Sequence, residues 1–323
     1  MQDSFVLKDG TVIPRRKRGF GWQGFIFCII PFISFFAFSL FPIGYSLVVS
    51  FTDMGLYNSI EPWNFMGLRN YAEVFRDMFF WHTIGLGFYC TLGQFLSLSV
   101  ALAMSTLLST KVKGWNLFSA LYFIPYICSS VAVSMIWKRM FDTDYGIINE
   151  MISLFGYTGS PIAWSGQKST YMLIFIIIQA WSAPGYGIIM YNAAYTSIDG
   201  TLYEAAKIDG ASRGRQFLSI TLPQLSPTTY FLLMLGIISG LQQFEMFSIF
   251  TGEEGGWTGI TTDGPESMGF VPLIYINITV KGGNTVGGMG YAAAMSWFLF
   301  FIVFGVARLN EKFSKVWVAN ENE

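Results

Sequence analysis

The stretch TLYEAAKIDGASRGRQFLSITLPQLSP, Thr201 to Pro227, is polar and lies between two long apolar runs. The chain leaves an apolar environment there, builds a structured loop and returns. Thr201-x-x-Glu204 has the form of a capping box, in which the Thr hydroxyl and the Glu carboxylate satisfy the opening backbone N–H groups of a helix. Leu202, Ala205 and Ala206 give that helix a short, smooth face. Asp209-Gly210 is turn chemistry that ends it. A second short helix would carry Phe217 and Ile220 until Pro223 stops it. The product is a helix-turn-helix knob offered to a partner, although capping and turn chemistry alone fit an ordinary surface loop equally well.

Outward from this loop the chain is strongly apolar: 53% hydrophobic, 12% charged, with a mean hydropathy of +0.48. A soluble domain carries about 25% charged residues. Apolar runs long enough to cross a hydrocarbon layer of roughly 30 Å account for the deficit. Spans at 24–51, 82–108, 115–140, 169–196, 227–250 and 290–309 predict an all-α membrane protein with six transmembrane helices. The organisation that follows is a polar N-terminus (1–23), a first helix (24–51), a core (82–310) interrupted by the 197–226 loop, and a polar tail (311–323).

Charge sets the expected orientation. With the N-terminus inside, 13 of the 19 Lys and Arg residues fall on the cytoplasmic side, which puts both termini and the 197–226 loop in the cytoplasm. The cluster Arg15-Arg16-Lys17-Arg18 reads as an anchor before the first span, because the apolar run after it is too long for a signal peptide. The short basic loop at 109–114 predicts that the spans flanking it are antiparallel neighbours. A net charge of −1 distributed by side gives no nucleic-acid footprint. Cys28, Cys90 and Cys128 all fall in apolar runs, where reduced thiols are expected. The single histidine, His82, sits at an expected helix start as an interfacial polar residue, and no metal site is expected.

The full spacing of the loop is more specific than its turns. Glu204-Ala205-Ala206, three residues, Gly210, nine residues and Ile220-x-Leu222-Pro223 reproduce the EAA---G---------I-LP signature, so the chain resembles the binding-protein-dependent ABC importer permeases. Asp209, Ala211, Phe217 and Pro227 stand where the sugar-transporting members often have them. FMGLRNYAEVF (Phe65 to Phe75), ALYFIP (Ala120 to Pro125) and GYAAAMSWF (Gly290 to Phe298) are also similar to family positions, and the terminal VWVANENE favours a MalF-like over a MalG-like subunit. The family's T-x-GGP pattern is interrupted here, where EEGGWTGITTD separates Thr251-Gly252 from Gly264-Pro265.

The resemblance implies a MetI-like core of five helices preceded by one extra helix, in a bacterial inner (plasma) membrane. It implies a carbohydrate importer: a MalG-like second permease forming a heterodimer, two ABC ATPase subunits, an extracytoplasmic solute-binding protein and a sugar or oligosaccharide substrate. Glu204, Ala205, Ala206, Asp209, Gly210, Ala211, Phe217 and Pro223 would form the coupling helix and its turn, with Glu204 facing a basic residue of the ATPase. The chain would be non-catalytic and bind no cofactor, with ATP and Mg in the partner ATPases, since no G-x-x-x-x-G-K phosphate loop occurs in it.

Polar residues inside the spans are candidates for the sugar pathway. Glu245 near mid-bilayer costs roughly 2.5–3.5 kcal/mol on insertion scales and generally faces a cavity or a partner. Gln242 and Gln243 precede it by about one turn, and Gln179, Trp181 and Asn192 bring amides and an indole to the fourth span. Interhelical hydrogen bonding is the simpler role for any of these, and Gly236-x-x-x-Gly240 reads as a close-packing face. Two other functions compete. A proton-coupled transporter relaying through Glu245 would call for an inverted repeat, which is not evident. An intramembrane enzyme would need a nucleophile, base or metal constellation that the spans lack.

Overall fold

A computed structural model describes residues 4–6, 12–14, 22–55, 63–109, 115–166, 168–251, 269–281 and 288–318. The Arg15–Arg18 cluster, Lys111, Lys113 and the 253–263 insertion lie outside them. Apart from an antiparallel ribbon of β1 (Ser4–Val6) and β2 (Val12–Pro14), the described chain is helical. Among these residues five helices are long and apolar enough to cross a membrane: Phe27–Val49, Met78–Leu107, Thr170–Ser197, Ser226–Phe250 and Gly288–Trp317. A sixth is possible only as a broken pair.

The first span combines α1 (Trp22–Phe35) and α2 (Phe41–Val49) through a π turn at Phe36–Leu40. Pro31 and Pro42 lie on either side of that turn, where missing N–H groups loosen the ladder. After α3 (Arg69–Arg76) comes α4 (Met78–Ser109), the helix around which the bundle is built. It begins four residues before the expected position because Asp77 caps it: Asp77 Oδ1 accepts from the N–H groups of Phe79 (2.9 Å) and Phe80 (3.1 Å). His82 is therefore exposed on the second turn, not at the helix start.

The expected span at 115–140 is not one helix. α5 (Trp115–Ile127) and α6 (Ser130–Met140) meet at 97° across Cys128 and Ser129. Pro125 withdraws one backbone donor just before the break, and Ser129 is extended (ψ 128°). Nor are α4 and α5 close neighbours. α4 is surrounded by α8 (Lys168–Ser182), α9 (Pro184–Ser197) and α13 (Ser226–Leu241), while α5 packs on α9. The α13 contact is the close one foreseen from Gly236 and Gly240: a Cβ at Gly240 would sit 3.0 Å from Thr91 Cα, and one at Gly236 3.3 Å from Gln94 Cβ.

A short helix, α7 (Ile147–Leu154), follows α6, and α10 (Gly200–Ile208), α11 (Arg213–Gln216) and α12 (Leu222–Gln224) lie in the polar loop. α13 gives way at Gln242–Phe244 to α14 (Glu245–Thr251), which packs on α6. α15 (Pro272–Lys281) and α16 (Gly288–Trp317) complete the bundle. Its largest core cluster joins Phe175, Ile178 and Phe247, with the Phe175 and Phe247 rings stacked 3.8 Å apart.

Candidate functional site

The polar loop is ordered by its own hydrogen bonds. The cap of α10 is Asp199 rather than Thr201: Asp199 Oδ1 accepts from Thr201 N (2.9 Å), which holds the Asp199 carboxyl below the usual carboxylate range. The capping box expected from Thr201 and Glu204 is thus displaced by two residues, because Asp199 precedes Gly200 and starts the helix earlier. Gly210 then adopts φ +73°, its N–H donating to Lys207 O (3.1 Å) and that of Ala211 to Ala206 O (2.9 Å). This pair of bonds is a Schellman stop, and glycine meets its left-handed requirement without Cβ strain.

The second arm starts at Ser212, whose Oγ accepts from Arg215 N (3.4 Å). Pro223 does not stop it. The backbone widens into a π turn at Phe217–Thr221, with Leu222 N–H bonded back to Phe217 O, and helical structure runs on through Pro223 into α13. A π turn absorbs the proline by loosening the ladder ahead of it. Tyr203 Oη and Thr221 Oγ1, 2.8 Å apart, tie the first arm to the second, and Gln216 Nε2 donates to Ala211 O (2.9 Å).

With both arms fixed, Glu204, Ala205, Asp209, Gly210 and Pro223 are exposed, and Ala206, Ala211 and Phe217 are half-buried. Ile208 (87% exposed), Leu218 (63%) and Leu202 (41%) form open apolar ground beside them. No ion pair engages Glu204 among the described residues. The loop can accept a partner through apolar contact and the exposed carboxylates of Glu204 and Asp209.

In the spans, Glu245 opens α14 and accepts a hydrogen bond from Ser130 Oγ, the first residue of α6. Two turns along α6, Lys138 Nζ donates to Ile249 O (2.7 Å), so both ends of the two short helices are tied. Trp181 is partly exposed and meets Trp137 of α6 edge-to-face, ring centres 5.6 Å apart. Gln242 is exposed at the α13–α14 break, and Gln243 Nε2 donates to Ser239 O (3.1 Å). α6 thereby gathers Glu245 and Trp181 on one element. Gln179 is elsewhere: it is 3% exposed, packs against Gly93 of α4, and neither its Oε1 nor its Nε2 has a hydrogen-bond partner. Asn192 lies thirteen residues further along α8–α9, about 20 Å at 1.5 Å per residue, and does not join the others.

Residues 26–315 match the family described as Binding-protein-dependent transport system inner membrane component. The chain belongs to that family. As a permease of this kind it is a multi-pass inner-membrane subunit and not an enzyme. It is 31% identical over 299 residues to the probable ABC transporter permease protein YesP of Bacillus subtilis (strain 168), covering 91% of each chain. To the lactose transport system permease protein LacF of Rhizobium radiobacter it is 31% identical, covering 89% of this chain and 92% of the relative. Its fold matches the crystal structure of a bacterial ABC transporter involved in the import of the acidic polysaccharide alginate, with a TM-score of 0.73 and 21% identity, covering 91% and 95% of the two chains.

Three contributors of the permease escape a search for lone polar groups in spans. Ser130 and Lys138 stand on one face of α6, with Ser134 between them donating to Ser130 O (2.6 Å). Their i, i+4, i+8 spacing is the signal that could have found them. Trp137 lies on the same helix, visible only once the 97° break places α6 against α8.

Proposed function

We propose that this permease is one of two membrane subunits of an ATP-driven importer of a sugar or oligosaccharide, coupled to its ATPases through the 197–226 loop. The observation that carries this reading is that loop: two short helices locked around Gly210, leaving Glu204, Leu202, Ile208 and Leu218 uncovered between two spans. A knob fixed internally by Asp199, Tyr203–Thr221 and Gln216 transmits a push or pull from a docked partner as a rigid body. That is what a chain without a phosphate loop needs in order to use ATP bound elsewhere. This reading places both termini and this loop in the cytoplasm, supported by the excess of Lys and Arg on that side.

A carbohydrate substrate is supported by relatives whose names specify lactose and arabinooligosaccharides. Glu245 with the neighbouring Gln242 and Gln243 offers carboxylate and amide groups, and Trp181 an aromatic platform, around the break in the fifth span. Purifying the tagged permease from its native membrane tests the reading. An ABC ATPase and a second permease should co-purify, and a solute-binding protein with bound sugar should stimulate ATP hydrolysis. A chain that purifies alone and transports alone contradicts it.

A further inference from the structure

α7 has an outward face that nothing in the fold explains. Its inward side is fixed. Ile148 packs against the core cluster that contains Phe141 and Tyr171. Beside it, Asn149 Oδ1 accepts from Ile162 N (3.3 Å) and Trp164 Nε1 (3.0 Å), while its Nδ2 donates to Thr143 O (3.1 Å) and Ile162 O (3.0 Å). Four hydrogen bonds set the roll of the helix, so what points away does so by construction. Those residues are Ile147, Met151, Leu154 (82% exposed) and Phe155 (88% exposed), spaced i, i+4, i+7, i+8 as one stripe. Glu150 and Ser153 fall off the stripe.

Position identifies the occupant. α7 joins the end of α6 to the start of α8, and Thr170 Oγ1, on the first turn of a membrane span, donates to Trp164 O (2.7 Å) beside the Asn149 anchor. The helix therefore lies beside the first turn of a membrane span. Exposed Tyr145 and Tyr157 flank it, with the Arg139 guanidinium 5.3 Å from the Tyr145 ring centre. Aromatic and basic residues bordering an apolar helical stripe are what a headgroup boundary favours.

We propose that α7 is an in-plane interfacial helix whose Ile147–Met151–Leu154–Phe155 stripe is seated in the bilayer at the headgroup–acyl boundary. It holds the α6–α8 turn at a fixed depth, and with it the helix that bonds Glu245.

Spin labels placed singly at positions 147, 150, 151, 153, 154 and 155 test this, in a chain whose Cys28, Cys90 and Cys128 are replaced by Ala. The membrane assembly purified from cells would be reconstituted into lipid vesicles. Collision with oxygen should exceed collision with a water-soluble nickel chelate at 147, 151, 154 and 155, with the order reversed at 150 and 153. Chelate dominance at 154 and 155 would show the stripe facing water, and low access to both reagents would show a protein partner on it; either overturns the proposal. The wild-type chain supplies a second reading that needs no substitution. In vesicles doped with a phospholipid bearing a diazirine on its acyl chain, photolysis should label the peptide containing Ile147 to Phe155. A peptide left unlabelled while the spans are labelled contradicts the proposal as well.

Discussion

Ser130 donates a hydrogen bond to Glu245, joining the first residues of two short helices that each follow a break in a span. The acid is exposed and hydrogen-bonded rather than buried in the core. It opens one short helix and is held by the first residue of another.

Separating this contact from substrate binding needs two residues. If the Ser130–Glu245 bond is only structural, Ser130→Ala and Glu245→Ala should each lower stability by about 1 kcal/mol, and the double variant should cost little more. If Glu245 also receives a sugar hydroxyl, Glu245→Ala alone should weaken the substrate dependence of transport, with Glu245→Gln retaining part of it. We expect the second pattern; identical transport in Ser130→Ala and Glu245→Ala would contradict it.

Asp77 is a clamp of long range. Its Oδ1 caps α4, and its Oδ2 accepts from Tyr275 Oη (2.8 Å) and Tyr291 Oη (2.9 Å), tying α4 to α15 and α16. Tyr275→Phe and Tyr291→Phe should each cost about 1 kcal/mol in thermal or denaturant unfolding, and Asp77→Ala about the sum of its lost bonds. An Asp77→Ala chain as stable as wild type would refute the clamp.

Gln179 points the other way. A buried amide left without partners costs about 1–3 kcal/mol, so Gln179→Met should be neutral or stabilising and should leave uptake intact. Gly93→Ala, which places a methyl against the Gln179 side chain, should destabilise. Loss of uptake in a stable Gln179→Met chain would return this residue to the pathway.

Asp199 gives the loop a pH dependence. Its folded carboxyl is held low by the Thr201 N–H, so its contribution is present above the ordinary carboxylate value of 3.8 and is lost as pH falls through the lower folded value. Protection factors at residues 200–203, corrected for the intrinsic exchange rate at each pH, should fall in acid, and Asp199→Ala should show low protection already at neutral pH. Unchanged protection in Asp199→Ala would remove the cap.

The loop and the spans were the legible parts, because they rest on local periodicity and fixed spacing: Gly210 must turn, and the apolar runs must cross. Where the structure departs from the sequence pattern, two local interactions compete. Asp199 outbid Thr201 as cap, and a π turn carried helix through Pro223. The break between α5 and α6 was signalled only by Pro125, which many membrane helices tolerate. What could not be read at all was long-range. Asp77, Tyr275 and Tyr291 meet across some 200 residues of chain, and Asn70, inside a stretch recognised only by resemblance, donates to Ser50 O (2.9 Å) and Thr52 O (2.8 Å) to dock α3 on the end of the first span. Neither contact leaves a periodic trace.

The most direct measurement is uptake by proteoliposomes that hold the assembled complex with ATP trapped inside, comparing wild type with Glu204→Lys. Glu204 is exposed, so its replacement should change stability by no more than about 0.5 kcal/mol. Uptake by wild type should require ATP and survive a proton ionophore, while Glu204→Lys should fold, insert and fail to transport. Uptake that needs a proton gradient and ignores ATP, or a Glu204→Lys chain that transports like wild type, would contradict coupling through this loop.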